Sequence, residues 1–203
     1  MSVKESDRGR RVRRIAPVLT AVLSAGTLAA TGTGAASAEP CPDVQVVFAR
    51  GTFEAPGAGY IGDAFVDALR TKPELGGKSV AISPVNYPAS LDFMAAADGV
   101  VDTSNQLRGL AERCPDTKTV LGGYSQGAAV ISYVTQDTIP PGFTLPPGIT
   151  GPMAPEIANH VAAVALFGKP SNGFLNFLVR DAPPVTVGPL YAGKTIEQCI
   201  PTD

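Results

Sequence analysis

The sequence has one histidine, His160, among 203 residues, and three cysteines, Cys41, Cys114 and Cys199. A structural or catalytic metal needs several His, Cys or carboxylate ligands at short regular intervals, and no such spacing is present. Internal repeats are absent, and no low-complexity tract lies beyond the first 38 residues. Basic charge is also scarce there. The first 38 residues hold six of the 16 Lys and Arg and two of the 18 Asp and Glu, which leaves a net charge of −6 on the rest. With no basic stripe, nucleic acid is excluded as a partner. A long apolar run is lacking too. The stretch from Ile15 to Ala30 is too short, and too rich in Ala, Gly and Thr, for a stable membrane span.

That stretch follows a basic leader of Lys4, Arg8, Arg10, Arg11, Arg13 and Arg14 and precedes Ala36-Ser37-Ala38. Charge, apolar core and small-residue cleavage site in this order make residues 1–38 a secretory signal peptide, with a retained anchor as the alternative. The paired arginines leave Sec and twin-arginine export both open. Residues 39–203 are then one extracellular domain, long enough to bury a core.

Past the leader, Val44-Gln45-Val46-Val47-Phe48 reads as a buried strand, and Ile61, Phe65, Ala68 and Leu69 follow at helical spacing. A second strand ends near Pro84 or Asn86. Met94 to Arg113 reads as a helix, with Val100, Val101, Leu107 and Leu110 on one face. Val161 to Phe167 is another continuous apolar strand. Alternating strands and helices, with strands apolar on both faces, predict a single α/β domain with a mostly parallel sheet flanked by helices on both sides. Thr138 to Pro155 contains six prolines, which exclude regular structure. This segment is either a flap beside an apolar site or a passive surface connection.

The chemistry centres on Gly123-Tyr124-Ser125-Gln126-Gly127, placed between an apolar strand and a helix-like run. Gly-x-Ser-x-Gly at a strand-to-helix turn is the nucleophile elbow of α/β-hydrolases. A Cβ at either flanking glycine would strike the adjacent strand or helix, and the strained serine projects above the sheet at the positive end of the helix. A chance serine in a small-residue turn is the alternative, and the strand-turn-helix context argues against it.

Four motifs occur in order: Phe48-Ala49-Arg50-Gly51-Thr52, the elbow, Val164-Ala165-Leu166-Phe167-Gly168-Lys169-Pro170, and Cys199-Ile200-Pro201-Thr202-Asp203. Together they resemble the cutinase family of serine esterases, especially its secreted bacterial members, over essentially all of residues 39–203. The resemblance implies Ser125 as nucleophile and Asp203 as triad acid. It places Thr52 and the Gln126 backbone N–H in an oxyanion hole, and implies a Cys41–Cys114 disulfide. It implies no cofactor or metal, a hydrophobic ester substrate and a monomer. In that family a partner for Cys199 and the catalytic histidine lie beyond the aspartate. The sequence therefore reads as truncated at its C-terminal end, and residues 39–203 alone are expected to be nearly inactive.

His160 precedes a strand whose far end lies about 20 Å away, at the sheet edge where ligands bind. It also precedes Asp203, against the order Ser, acid, His, so it is expected to be structural. Asp181, beside Arg180, is expected in a solvated ion pair rather than a triad, and Asp98 and Asp102 on a polar helix face. The expected activity is hydrolysis of short- or medium-chain acyl esters, polyesters or lipids through a Ser-His-Asp triad and an acyl-enzyme. The alternatives are an acetylxylan-type deacetylase and a non-catalytic secreted protein that binds lipid or a cell-envelope partner.

Overall fold

The computed structural model describes residues 40–139 and 144–199. The expected signal peptide, Asp203 and part of the proline-rich segment lie outside the described residues.

Val44–Ala49 (β1) is buried at every position. Its one polar side chain, Gln45, donates from Nε2 to Ser83 Oγ at 3.1 Å, so burial leaves that amide nitrogen bonded. The other strands are Val80–Pro84 (β2), Lys118–Tyr124 (β3), Val161–Phe167 (β4) and Thr195–Gln198 (β5). They form one parallel sheet in the order β2-β1-β3-β4-β5.

Helices cover both faces. Along β1, side chains alternate between the two layers as the strand period requires. Val46 and Phe48 face Gly59–Arg70 (α1), and the rings of Phe48, Phe65 and Phe167 lie 5.5–6.3 Å apart. Val47 and Ala49 face the opposite layer, built from Ala96–Arg113 (α2) and Gln126–Val134 (α3). Gly99 lets α2 lie close against α3. A Cβ there would sit 3.1 Å from both Tyr87 and Val130. Three short helices follow: Pro155–His160 (α4), Asn172–Leu178 (α5) and Pro189–Ala192 (α6). The proline-rich region is free of helix and strand from 144 to 154, but Pro155 opens α4. A proline without an N–H is tolerated at the first helical position, so this boundary falls one residue earlier than expected.

Pro115 stops α2 at Cys114, which is bridged to Cys41 across 73 residues. On the chain-entropy model a loop of this length contributes about 4 kcal/mol. Cys199 is exposed and free among the described residues. No helix among them is long and apolar enough to cross a membrane.

The topology fixes where a ligand meets the sheet. From β1 the chain passes through α1 on one face to β2, then through α2 on the other face to β3, back beside β1. Neighbouring strands β1 and β3 therefore send their following helices to opposite faces. Between them, at the carboxyl edge, lies a topological switch point, where open α/β sheets carry their crevice.

Candidate active site

Ala49 pairs with Gly123, so the segments after β1 and β3 leave the sheet side by side. Ser125 follows β3 with φ 52° and ψ −115°, a conformation that L-residues avoid. It persists because both sides are held. The Ser125 N–H donates to the Phe167 carbonyl at 2.9 Å, and its carbonyl accepts from Ala128 and Ala129. The flanking glycines are sterically required. A Cβ on Gly123 would come within 2.6 Å of the Gly127 carbonyl carbon, and one on Gly127 within 2.6 Å of the Arg50 carbonyl oxygen. Gln126 begins α3, where first-turn N–H groups have no intrahelical acceptor and the helix dipole is positive.

Thr52 stands on the loop after β1, and a buried network holds that loop. Arg50 is only 4% exposed. Its guanidinium donates to the carbonyls of Glu54 at 2.9 Å, Tyr87 at 2.6 Å, Pro88 at 3.3 Å and Val85 at 3.4 Å. It also lies 5.1 Å from the centre of the Tyr87 ring. Burial, partly offset by Arg50 and reinforced by Glu54, pushes the Tyr87 phenol well above its ordinary range. The phenol therefore stays protonated and donates to the Arg50 carbonyl. Glu54 accepts from the Gly51 N–H at 2.6 Å and the Tyr60 N–H at 2.8 Å. Arg50, Glu54 and Tyr87 brace the loop that carries Thr52; the sequence reading quoted Arg50 only within its first motif and did not single out Glu54 or Tyr87. The available signal was a charge placed directly after an apolar strand.

Two further contacts join this loop to residues 85–90. The Phe53 N–H donates to the Ala89 carbonyl at 2.8 Å, and Gln126 Nε2 donates to the Ser90 carbonyl at 2.9 Å. Gln126 Oε1 is buried without a partner. Among the described residues, the non-glycine positions with positive φ are Phe53, Ala89, Ser125 and Asp181. Phe53 and Ser125 line this crevice and Ala89 accepts from the Phe53 N–H behind it, the clustering expected of strain stored at a working site.

Thr52, Ser125 and Gln126 open onto one cavity of about 670 Å³. Among the described residues no Asp, Glu, Lys, Arg or His lines it. Exposed apolar side chains stand at its rim, among them Phe53, Leu91, Met94 and Phe174. Leu145, Ile149 and Met153 of the proline-rich segment also line it.

His160 does not line the cavity. It ends α4 at the edge where β4 begins, whereas Ser125 follows the edge where β3 and β4 finish, paired as Tyr124 with Phe167. Asp181 is exposed, and the ion pairs found among the described residues are Arg70–Asp67 and Lys169–Glu197. The expected pairing with Arg180 is not present; Asp181 sits in a left-handed turn after α5, a conformation Asp tolerates. Asp98 is exposed as expected, but Asp102 accepts from the Asn86 N–H at 2.8 Å and from Gln106 Nε2 at 2.6 Å, and so braces the loop after β2. No group of three or more His, Cys, Asp or Glu among the described residues is placed to hold a metal.

Comparison with known proteins agrees with this architecture. The cutinase family model matches residues 40–203. Carboxylesterase Culp1 of Mycobacterium tuberculosis is 45% identical over 195 residues, covering 96% of this chain and 82% of that protein. Phospholipase Culp4 of the same organism is 43% identical over 196 residues, covering 95% and 79%. The solved structure of Trichoderma reesei cutinase with a phosphonate inhibitor superposes with a TM-score of 0.59 at 32% identity. That match covers 81% of this chain, which spans 64% of the length of the cutinase. The chain belongs to the cutinase family of carboxylic ester hydrolases and has the single-domain α/β-hydrolase fold.

Proposed function

We propose that this protein is a secreted, monomeric serine esterase that cleaves esters of hydrophobic acyl groups, with Ser125 as nucleophile. The carrying observation is that a serine held at positive φ shares one charge-free cavity with Thr52 and with the first residue of α3. Ser125 Oγ attacks the ester carbonyl carbon, and its proton passes to an imidazole that Asp203 orients. The carbonyl oxygen becomes an oxyanion between the Gln126 N–H and a donor on Thr52, each such donor contributing about 3 kcal/mol to the transition state. Collapse expels the alcohol and leaves an acyl-Ser125, which water hydrolyses. His160 is the only histidine of the 203 residues, and its place at the opposite sheet edge excludes it as the base. The apolar lining favours a hydrophobic acyl group over acetyl on a carbohydrate.

The test is fluorophosphonate labelling of the protein as its native host secretes it, with the modified peptide identified by mass spectrometry. Label on Ser125, with hydrolysis of p-nitrophenyl butyrate abolished in Ser125→Ala, is the expected result. Label on another residue, or hydrolysis that survives the substitution, overturns the assignment. Binding of the ester without labelling would favour the non-catalytic lipid-binding alternative.

A further inference from the structure

In the esterase reading the oxyanion meets donors on two different elements, Thr52 on the loop after β1 and the Gln126 N–H at the start of α3. Residues 85–90, which follow β2 without helix or strand, are bonded to both elements. Their carbonyls are taken up from two sides. Those of Val85, Tyr87 and Pro88 accept from the Arg50 guanidinium, and that of Ala89 accepts from the Phe53 N–H. The Ser90 carbonyl accepts from Gln126 Nε2 at 2.9 Å. Ala89 and Phe53 are held at φ 50° and 65°, a conformation that persists only where the surroundings over-determine it.

We propose that residues 85–90 are a strut that sets the spacing of the two donors, with the Gln126 side chain as the positioning residue at one end and Arg50 at the other. The proposal rests on the esterase reading, which supplies the oxyanion. The Gln126 amide carries it. A carbonyl oxygen can only accept, so the amide nitrogen must face Ser90 and Oε1 must face away from it. Gln126 is only 6% exposed, and its Oε1 finds no partner among the described residues. A buried acceptor left unpaired costs stability, and an apolar side chain of similar length fills the same space without that cost. Packing therefore does not explain a glutamine here. The bond to Ser90 does, because it ties the first residue of α3 to the segment that also holds Phe53, the neighbour of Thr52. Catalysis depends on such a tie more steeply than folding does, since a misplacement of about 1 Å can cost about 100-fold in rate.

Any residue but proline keeps a backbone N–H at position 126, so Gln126→Met removes the tie and leaves the donor. The assay is saturation kinetics of fluorophosphonate labelling at Ser125, on the protein as its native host secretes it. The phosphonyl oxygen draws on the same two donors as an ester oxyanion. The limiting rate reads transition-state stabilisation, and the half-saturating concentration reads ground-state binding. In Gln126→Met the limiting rate is expected to fall about 30-fold, less than the roughly 10²–10³ lost when a donor is removed outright. The half-saturating concentration stays within about twofold. The melting temperature stays within about 2 °C, because the lost bond is offset by the relieved acceptor. Arg50→Lys keeps the charge but not the planar fork, and lowers the limiting rate in the same way together with the melting temperature. Gln45→Met is the control. It also replaces a buried glutamine bonded through Nε2, but near the start of β1, so it lowers the melting temperature and leaves both labelling constants unchanged. Three results overturn the strut: an unchanged limiting rate in folded Gln126→Met, a loss carried by the half-saturating concentration, or an equal loss of rate in Gln45→Met. A wild type that does not label at Ser125 overturns the esterase reading and the strut with it. A wild type that labels, beside an unaltered Gln126→Met, overturns the strut alone.

Discussion

Gly127→Ala tests the geometry of the elbow most directly. The new methyl would lie 2.5 Å from the Ala49 carbonyl carbon and 2.6 Å from the Arg50 carbonyl oxygen. The Ala49 carbonyl oxygen lies closer still, and comfortable contact needs about 3.5 Å, so one side must retreat by more than about 1 Å. Neither side yields easily. Ala49 is buried and paired with Gly123, and Arg50 is tied to four backbone carbonyls. The expected loss is about 3 kcal/mol, the upper end for overpacking. With a urea m-value of about 2 kcal/mol/M, the unfolding midpoint falls by about 1.5 M. Displacing α3 by about 1 Å also moves Ser125 and the Gln126 N–H relative to Thr52, which slows fluorophosphonate labelling roughly 100-fold. Gly193→Ala is the control. Its φ is −69° and nothing lies within 4 Å of the added Cβ, so it should gain about 0.5 kcal/mol and label at the wild-type rate. A Gly127→Ala midpoint within about 0.5 M of wild type, with labelling within about threefold, would refute the steric account.

Ser125→Gly should be more stable than Ser125→Ala by about 1–2 kcal/mol, because glycine relieves the positive φ while both variants lose the hydroxyl. Equal melting temperatures would show that the serine backbone is not strained. Burial pushes the phenols of Tyr133 and Tyr191 up to about 12. The folded state thus keeps protons that the unfolded chain releases near pH 10. Stability is full below that pH and falls between about pH 10 and 12. Urea midpoints at pH 8, 10 and 11.5 test this, and a value constant throughout would contradict it.

The central strands and α1 to α3 were legible because burial on both faces writes itself as apolar runs, and one-sided burial as helical spacing. The elbow was legible because its glycines answer a steric demand that any chain would face. The disulfide was implied by family resemblance, and the structure forms it. Elements held by backbone rather than side chains left no such trace. In β5 three of four residues are exposed, and the strand exists through its ladder with β4. α5 turns Phe174 and Phe177 outward, which erases the amphipathic pattern, although Ser171 caps it by accepting from the Phe174 N–H. The Arg50 network was hidden for a related reason: its acceptors are carbonyls, and carbonyls do not appear in a sequence. The proline-rich segment showed its irregularity but not its position, since nothing local says that Leu145 and Ile149 line a cavity.

The charge-free lining also bears on how a catalytic cycle ends. Hydrolysis turns a neutral ester into a carboxylic acid, which ionises near pH 4–5 as side-chain carboxyls do. Among the described residues no cation lines the cavity to receive the new anion, and an unpaired carboxylate in an apolar setting is strongly disfavoured. The described walls therefore offer a carboxylate product no ionic partner, and at neutral pH they hold it less well than its neutral ester precursor. In acid, where a released carboxylic acid stays neutral, that difference would vanish and product would compete with fresh substrate.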